Sequence, residues 1–447
     1  MKRIAVLAAI VGVSLFAADD DPLSARGPLR LSLKRAVEIA TSPEGNTRIQ
    51  LAQEQVRQAK ARSAQLRSAL LPTIDSFVGA QDLTRSLAAQ GLNEIDLPFG
   101  IVLPERVGPF TVMDARVTGY SNLLDFSAIR RLQAGHAGIR TAQTESSSTQ
   151  DQVSVQVAKA YLAALRADAE LEAVEANIRL AEAVLKLAQH QKEAGTGTGI
   201  EITRARVQLS YEKQRLLAAQ NERRKADLQL LHAMNMNLDT QVELTDKLRY
   251  MPVDATMVDG ATKEALQSRL DLKAQNQREN AARLMSSAVR YEHLPALVGG
   301  MDYGTTGSLG NPILPTRTYQ LGLRVPVFDG GRREARRAES ESQYRSERIR
   351  TNELREQIQM EVRIALDSLH SAEDQVQVAE EGLQLAESEL TQARRRYEAG
   401  VTSSLEVTDA QTRLERAQDN RITALFNYNV ARIDLGHATG DTRRMIQ

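Results

Sequence analysis

Residues 362–414 read VRIALDSLHSAEDQVQVAEEGLQLAESELTQARRRYEAGVTSSLEVTDAQTRL, and the spacing of their apolar residues decides how the rest of the chain is read. Val362, Ala365, Leu369, Ala372, Val376, Ala379, Leu383, Ala386, Leu390, Ala393 and Tyr397 follow one another in steps that alternate three and four without a slip. That is a period of about 3.5 residues, the mark of a coiled-coil seam rather than of an ordinary amphipathic helix. Tyr397-Glu398-Ala399-Gly400 then makes a short turn, and the stripe resumes at Val407, Ala410, Leu414 and Ala417 and runs on to Leu435. Large and small residues alternate along it, so the two helices of the hairpin pack closely.

The same object occurs earlier in the chain. Val157, Ala160, Ala164, Ala167, Leu171, Val174, Ile178, Ala181, Leu185 and Ala188 keep the three-four alternation inside a proline-free run from Asp125 to Lys192. A helix of that length would reach roughly 100 Å, far beyond a compact domain. Gly195-Thr196-Gly197-Thr198-Gly199 breaks it, and a second stripe follows at Ile202, Ala205, Leu209, Glu212, Leu216, Ala219, Arg223, Ala226 and Leu230. A constant offset of 205 residues pairs Glu193-Ala194-Gly195 with Glu398-Ala399-Gly400, Leu209 with Leu414 and Leu230 with Leu435. Two hairpins in register with one seam point to an internal duplication.

Each hairpin is preceded by two strand-length segments and a loop. The clearest is 318–328, where Tyr319, Leu321, Leu323, Val325 and Val327 alternate with more polar neighbours and Pro326 suits a strand end. Lys2-Arg3, the apolar run Ile4–Phe16 and Ala17-Ala18 read as a secretory signal, too short to span a bilayer. The chain therefore divides into a signal peptide at 1–17 and a first structural repeat at 18–232, with strands near 73–82 and 110–122 and a hairpin at 125–232. A connector or equatorial segment follows at 233–262, then a second repeat at 263–440, with strands near 296–305 and 318–328 and a hairpin at 331–436. Residues 19–30 read as irregular, and 83–109 and 306–317 as loops. Phe77, Phe110, Tyr120, Tyr303, Tyr319 and Phe328 are the candidates for an aromatic girdle.

Composition narrows the function. Lys+Arg and Asp+Glu balance at 57 each, so no polyanion partner is implied and no nucleic acid is expected. With no cysteine, disulfides and thiolate metal sites are excluded. The six histidines are scattered without ligand spacing, and no Ser-His-Asp order has supporting turn chemistry. No enzyme, catalytic residue, metal or cofactor is expected. No later segment is apolar enough for a membrane helix, so contact with a membrane would be through β-structure. Four strands cannot close a barrel, but a symmetric oligomer could, with the hairpins side by side around a channel.

Leu33–Ala40, Leu71-Pro72, Val157–Leu165 (VAKAYLAAL), Val325–Arg332 (VPVFDGGR) and Tyr397–Gly400 followed by Leu405–Ala410 (LEVTDA) resemble the TolC-type outer-membrane efflux proteins, the outer membrane factors, across essentially the whole mature chain. The resemblance implies a mainly α fold with a small β part. Tandem-duplicated hairpins would form a trimeric α-barrel in the periplasm, and four strands per chain would enter a shared twelve-stranded transmembrane β-barrel. It implies a homotrimer set in outer-membrane lipid of a Gram-negative-type bacterium. Cargo would come through a periplasmic adaptor, a membrane fusion protein, from a proton-driven RND or ATP-driven ABC transporter in the inner membrane. Passive small-molecule efflux is the leading reading. Export of protein through a type I secretion system uses the same duct, and a soluble periplasmic coiled-coil scaffold is the reading from a different class.

Glu406 and Asp409 lie three apart and share one face of the helix after the turn, where acids also favour the helix dipole. The resemblance makes them a cation-favouring ring at the periplasmic entrance. It makes Tyr397 and Glu201 match closing links between neighbouring coils, although Thr402 and Ile200 depart from the family's charged-to-polar link. Gly195 with Thr196 and Gly400 with Val401 match the tip turns that meet the adaptor, and glycine there is also an ordinary helix cap.

Overall fold

In the computed structural model, residues 28–42, 44–91, 103–253, 258, 260–308 and 312–446 are described. The expected signal peptide at 1–17 lies outside them. In chain order the elements are β1 (Leu29–Leu31), α1 (Leu33–Thr41), α2 (Thr47–Ser68), β2 (Thr73–Ser86), β3 (Arg106–Leu124), α3 (Phe126–Glu193) and α4 (Gly199–Ala233). After these come β4 (Val242–Leu244), α5 (Ala261–Ser268), α6 (Leu270–Arg290), β5 (Ala296–Ser308), β6 (Leu314–Arg324), α7 (Arg332–Glu398), α8 (Ser404–Thr439) and α9 (Thr442–Ile446).

The long helices α3 and α7 have 68 and 67 residues and end at positions 205 apart. At about 1.5 Å per residue each runs for roughly 100 Å. Asp125 caps α3 by accepting the Ala128 N–H at 3.0 Å. α7 starts after Gly331, and Asp329 below it holds Arg333 at 2.9 Å. Along α7 the seam is buried from Val362 to Tyr397 apart from Ala379 and Leu383, which are half-buried. It packs on Val407, Ala410 and Leu414 near the turn and on Leu425, Tyr428 and Leu435 higher up. Burying a Val or Leu side chain of this kind is worth about 1.5–3 kcal/mol, so the seam outweighs any propensity term in the helices.

The four long strands form one antiparallel sheet in the order β2-β3-β5-β6, so each half of the chain contributes a hairpin and the halves join at β3–β5. The register sorts the side chains onto two faces. Ile74, Gly119, Met301 and Tyr319 stand in one row, with Val78, Met113, Val117, Tyr303, Leu321 and Leu323 on the same, predominantly apolar side. The other side carries Asp75, Thr118, Asp302 and Thr318 in one row, and there Arg116 reaches Asp114 at 2.7 Å and Asp302 at 3.9 Å. Ile74, Val78, Tyr303, Tyr319, Leu321 and Leu323 are all exposed. β2 and β6 are the edges, and among the described residues neither has a second partner strand.

Several local expectations change. The loop expected at 83–109 is shorter, because β2 continues to Ser86 and β3 begins at Arg106; Ala88–Gln90 forms a single turn between them. Residues 81–86 are polar apart from Leu83 and do not alternate, so their strand character comes from pairing, not pattern. β6 runs from Leu314 to Arg324 rather than 318–328, with Pro315 tolerated on an edge strand. Beyond it Val325, Val327 and Phe328 stay exposed without a partner strand. Among the girdle candidates on described strands, Tyr303 and Tyr319 sit on the apolar side, and Phe77, Phe110 and Tyr120 lie on the opposite face.

The segment expected to be irregular before Leu31 instead ends in β1, which pairs in parallel with β4 of the connector, Leu29 opposite Val242 and Leu31 opposite Leu244. This belt is pinned to the hairpins by buried hydroxyls. Tyr161 on α3 is fully buried, with its hydroxyl 2.9 Å from the Leu31 carbonyl and 2.8 Å from Asp246 Oδ2. Burial, followed by the hydrogen bond to Asp246, raises its phenol well above the ordinary range. Tyr428 and Asn429 on α8 fasten the Met251 and Arg249 carbonyls at 2.8 and 3.1 Å. Tyr161→Phe should therefore cost about 0.5–1.5 kcal/mol of stability, the worth of the lost tie, since the Leu31 carbonyl keeps the Thr245 N–H and Asp246 keeps the Leu33 N–H. A chemical-denaturation midpoint equal to that of the wild type would show that the belt does not depend on this hydroxyl.

Candidate functional site

The end of the molecule farthest from the sheet is built from two turns of one design. After α3, Gly195 adopts φ +75°, its N–H donates to Lys192 O at 3.0 Å, and Thr196 N–H donates to Gln191 O at 2.9 Å. After α7, Gly400 adopts φ +73°, its N–H donates to Tyr397 O at 3.0 Å, and Val401 N–H donates to Arg396 O at 2.9 Å. Both are Schellman closures, which need a left-handed residue that glycine adopts without strain. Thr196 and Val401 are exposed on the turns, beside exposed Ile200 and Leu405.

The duplication also explains two of the acidic candidates. Glu201 and Glu406 are equivalent residues of the two repeats, each three positions past the residue that caps its helix. Glu201 turns back and accepts the Thr198 N–H at 2.9 Å. Glu406 is turned elsewhere, accepting from the Thr402 hydroxyl and pairing with Arg396 at 3.0 Å. Asp409, on the same flank of α8, pairs with Arg413 at 2.5 Å, and Arg413 also bridges to Glu389 on α7. Within the protomer both carboxylates thus end in partly exposed ion pairs, each worth about 1 kcal/mol at most.

Tyr397 lies in a different environment from its acidic companions. Its ring is 2 % exposed and packs in a cluster drawn from all four hairpin helices, with Val184, Ala205, Leu390, Val407 and Leu414. Its hydroxyl is buried without a hydrogen-bond partner among the described residues. Burial raises its phenol, and the charge on Glu201 adds to the shift. The Gln191 amide donates to the Tyr397 carbonyl at 3.1 Å, tying the first hairpin to the second.

Some 10 residues farther along α4 and α8 from the turns, roughly 15 Å by helical rise, is a polar cluster that sequence reading did not single out. Glu212 was legible only as an acid at a seam position. It is 1 % exposed and faces Glu415 of α8, with Gln208 and Arg215 between them. A second seam irregularity, Arg223, is explained by its pairing at 2.5 Å with Asp168 of α3. Nearby Asp227 is pushed up to about 6, chiefly by burial, against the pull of Arg223 and with Asp168 adding to the rise. Among the described residues no group of His, Asp and Glu is arranged to hold a metal ion, and no helix is long and apolar enough to cross a membrane.

With this geometry in view, comparison with known proteins is informative. A family model described as outer membrane efflux protein matches residues 261–441, from α5 to the turn after α8. The pyoverdine export outer membrane protein OpmQ of Pseudomonas putida is 27 % identical over 91 % of this chain and 85 % of that protein. The outer membrane protein TolC of Vibrio cholerae is 24 % identical over 84 % of this chain and 83 % of its own length. Among solved structures, the Campylobacter jejuni CmeC outer membrane channel superposes with a TM-score of 0.76 at 15 % identity, covering 92 % of this chain and 86 % of that one.

Gly400→Ala forces an L side chain into the left-handed region, at a cost of about 1–2 kcal/mol. The expected outcome is local: faster tryptic cleavage at Arg394–Arg396 with little change in global unfolding. Cleavage at the wild-type rate would mean that the closure does not depend on glycine.

Proposed function

Since the chain belongs to the outer membrane efflux protein family, we propose that three copies of it form a passive exit duct across the outer membrane. The observation that carries this reading is the two-faced sheet at one end of the long hairpins. Its apolar side is exposed, its polar side holds an ion cluster, and both its edges are open. In hydrocarbon an open edge is prohibitively costly, and closure through neighbouring copies removes it. The apolar side then meets lipid and the polar side lines the lumen, the pattern of a membrane β-barrel. The hairpins extend from this end into the periplasm as a tube.

At the far end, Gly195, Thr196, Gly400 and Val401, with exposed Ile200 and Leu405 beside them, present two equivalent turns to a periplasmic adaptor. Glu406 and Asp409 border the opening, and their pairing with Arg396 and Arg413 leaves exchangeable carboxylates at the mouth. Tyr397 holds the two hairpins of the tip together by its buried ring, and Glu201 caps the start of α4. Cargo handed over by an inner-membrane pump then leaves without an energy-consuming step in the duct itself. Small molecules are the cargo this reading favours. The signal peptide at 1–17 and the two-repeat division of the chain belong to the same proposal.

Two measurements test it. The purified protein should fractionate with outer membranes and run as a trimer of threefold tubes roughly 100 Å or more in length; recovery wholly in the soluble periplasm would overturn the reading. In planar bilayers, Glu406→Gln combined with Asp409→Asn should lower the cation-to-anion permeability ratio and weaken block by polyvalent cations. Selectivity identical to the wild type would remove these two residues from the mouth.

A further inference from the structure

Glu212 and Glu415 occupy the contact between the first and the second hairpin, where α4 meets α8. Glu212 is 1 % exposed and Glu415 is buried with it. The two carboxyl groups are brought side by side by the neighbours they share, Gln208 and Arg215, and a direct bond between them would require a proton. The Gln208 amide donates to both, to Glu212 Oε1 at 2.8 Å and to Glu415 Oε1 at 3.2 Å. Arg215 donates to Glu415 Oε2 at 3.1 Å and to Asp419 at 3.1 Å, and stands 3.7 Å from Glu212 Oε2. Glu212 Oε2 is itself buried with no hydrogen bond.

The surroundings supply little compensating charge. On α4 the cation in contact among the described residues is Arg215, which three carboxylates share. On α8, Asp419 adds negative charge, while Arg413 and Arg421 are turned to Glu389 and Glu380 of α7. On α3, Glu170 faces Asp419 but is already paired with Arg166 at 2.7 Å, and Asn177 contributes only a neutral bond to Gln418 at 3.2 Å. Two buried carboxylates with part of one guanidinium cannot both ionise without strong repulsion.

We propose that Glu212 and Glu415 share a proton and form a pH-sensitive latch that holds the first hairpin against the second just above the tip. With the proton in place the pair bonds α4 to α8. Without it, like charges push the two helices apart at the place where the tip cluster ends. The latch stands on this geometry; its effect on conduction rests on the duct reading.

The sign follows from linkage. In the closed arrangement Glu415 is raised to about 8, first by burial and then by its bond to Glu212 and that residue's charge, against the opposing pull of Arg215. In an opened, hydrated arrangement it returns toward its ordinary 4.5. Between those values the closed state holds a proton that the open state has lost, so closure weakens as pH rises, by up to about tenfold per pH unit, and levels off above the upper value.

Hydrogen exchange of the full-length protein in detergent, corrected for intrinsic base catalysis, reads this directly. Between pH 6 and pH 8 the amides of residues 201–215 and 404–419 should open at least about tenfold more in the wild type. Glu415→Gln and Glu212→Gln keep the size and replace the carboxyl by a neutral amide, so in either variant the same comparison should change less than about twofold. Equal opening at both pH values in the wild type, or an undiminished response in both variants, would overturn the latch. Bilayer conductance should rise over the same range in the wild type and stay level in Glu415→Gln. A protein that conducts at no pH counts against the duct, and the exchange result still decides the latch.

Discussion

The close packing of one apolar seam governs this molecule. Its period of about 3.5 residues keeps the same face of α7 turned to α8 for the whole hairpin, and the duplicated copy does the same for α3 and α4. Since α3 and α7 are each about 100 Å long, no globular core could hold them. Stability has to be distributed along the seam, with three clusters of buried residues spaced from the belt to the tip. The alternation of large and small residues sets the interaxial distance.

Everything else is attached to this frame. The belt made by β1, β4, α1, α5 and α9 is fixed by a few buried polar ties, of which the Tyr161 and Tyr428 hydroxyls are the most enclosed. At one end the hairpins continue into a sheet with two chemically distinct faces. At the other they close in two glycine turns of the same geometry. Duplication supplied both turns, and the two copies have since diverged: the carboxylate that caps its own helix in the first repeat, Glu201, has become in the second, Glu406, a partner for Arg396.

Legibility in the sequence followed the physical range of each interaction. The hairpins could be read because a seam is periodic and local, and the turn glycines because a positive φ leaves a compositional trace. The strands could be read as segments but not as bounds, since residues 81–86 and 314–317 owe their conformation to the strands they pair with rather than to a pattern of their own. The pairing of β1 with β4 spans more than 200 residues and involves three on each side, too few to leave a pattern. Facing was ambiguous for Phe77, Phe110 and Tyr120 because β2 and β3 alternate imperfectly. In the tip, Glu406, Asp409, Glu201 and Tyr397 were visible as residue types at suggestive positions, but the burial of Tyr397 and the ion pairs of the acids depend on neighbouring helices. Glu212 stood in plain view at a seam position, and only its contact with Glu415 from the other repeat gives it meaning.

The joining of the two strand hairpins into one sheet has a consequence for biogenesis. Because β3 pairs with β5, the sheet cannot be completed while only the first half of the chain has been delivered, and the β2–β3 hairpin must wait with one edge unsatisfied. Among the described residues the finished sheet still has two unpaired edges, which neighbouring copies would occupy in the proposed duct. In that assembly membrane insertion would be a reaction of more than first order in protein. A lone chain would wait on the aqueous side, and the rate of entry into the bilayer would follow how often chains meet.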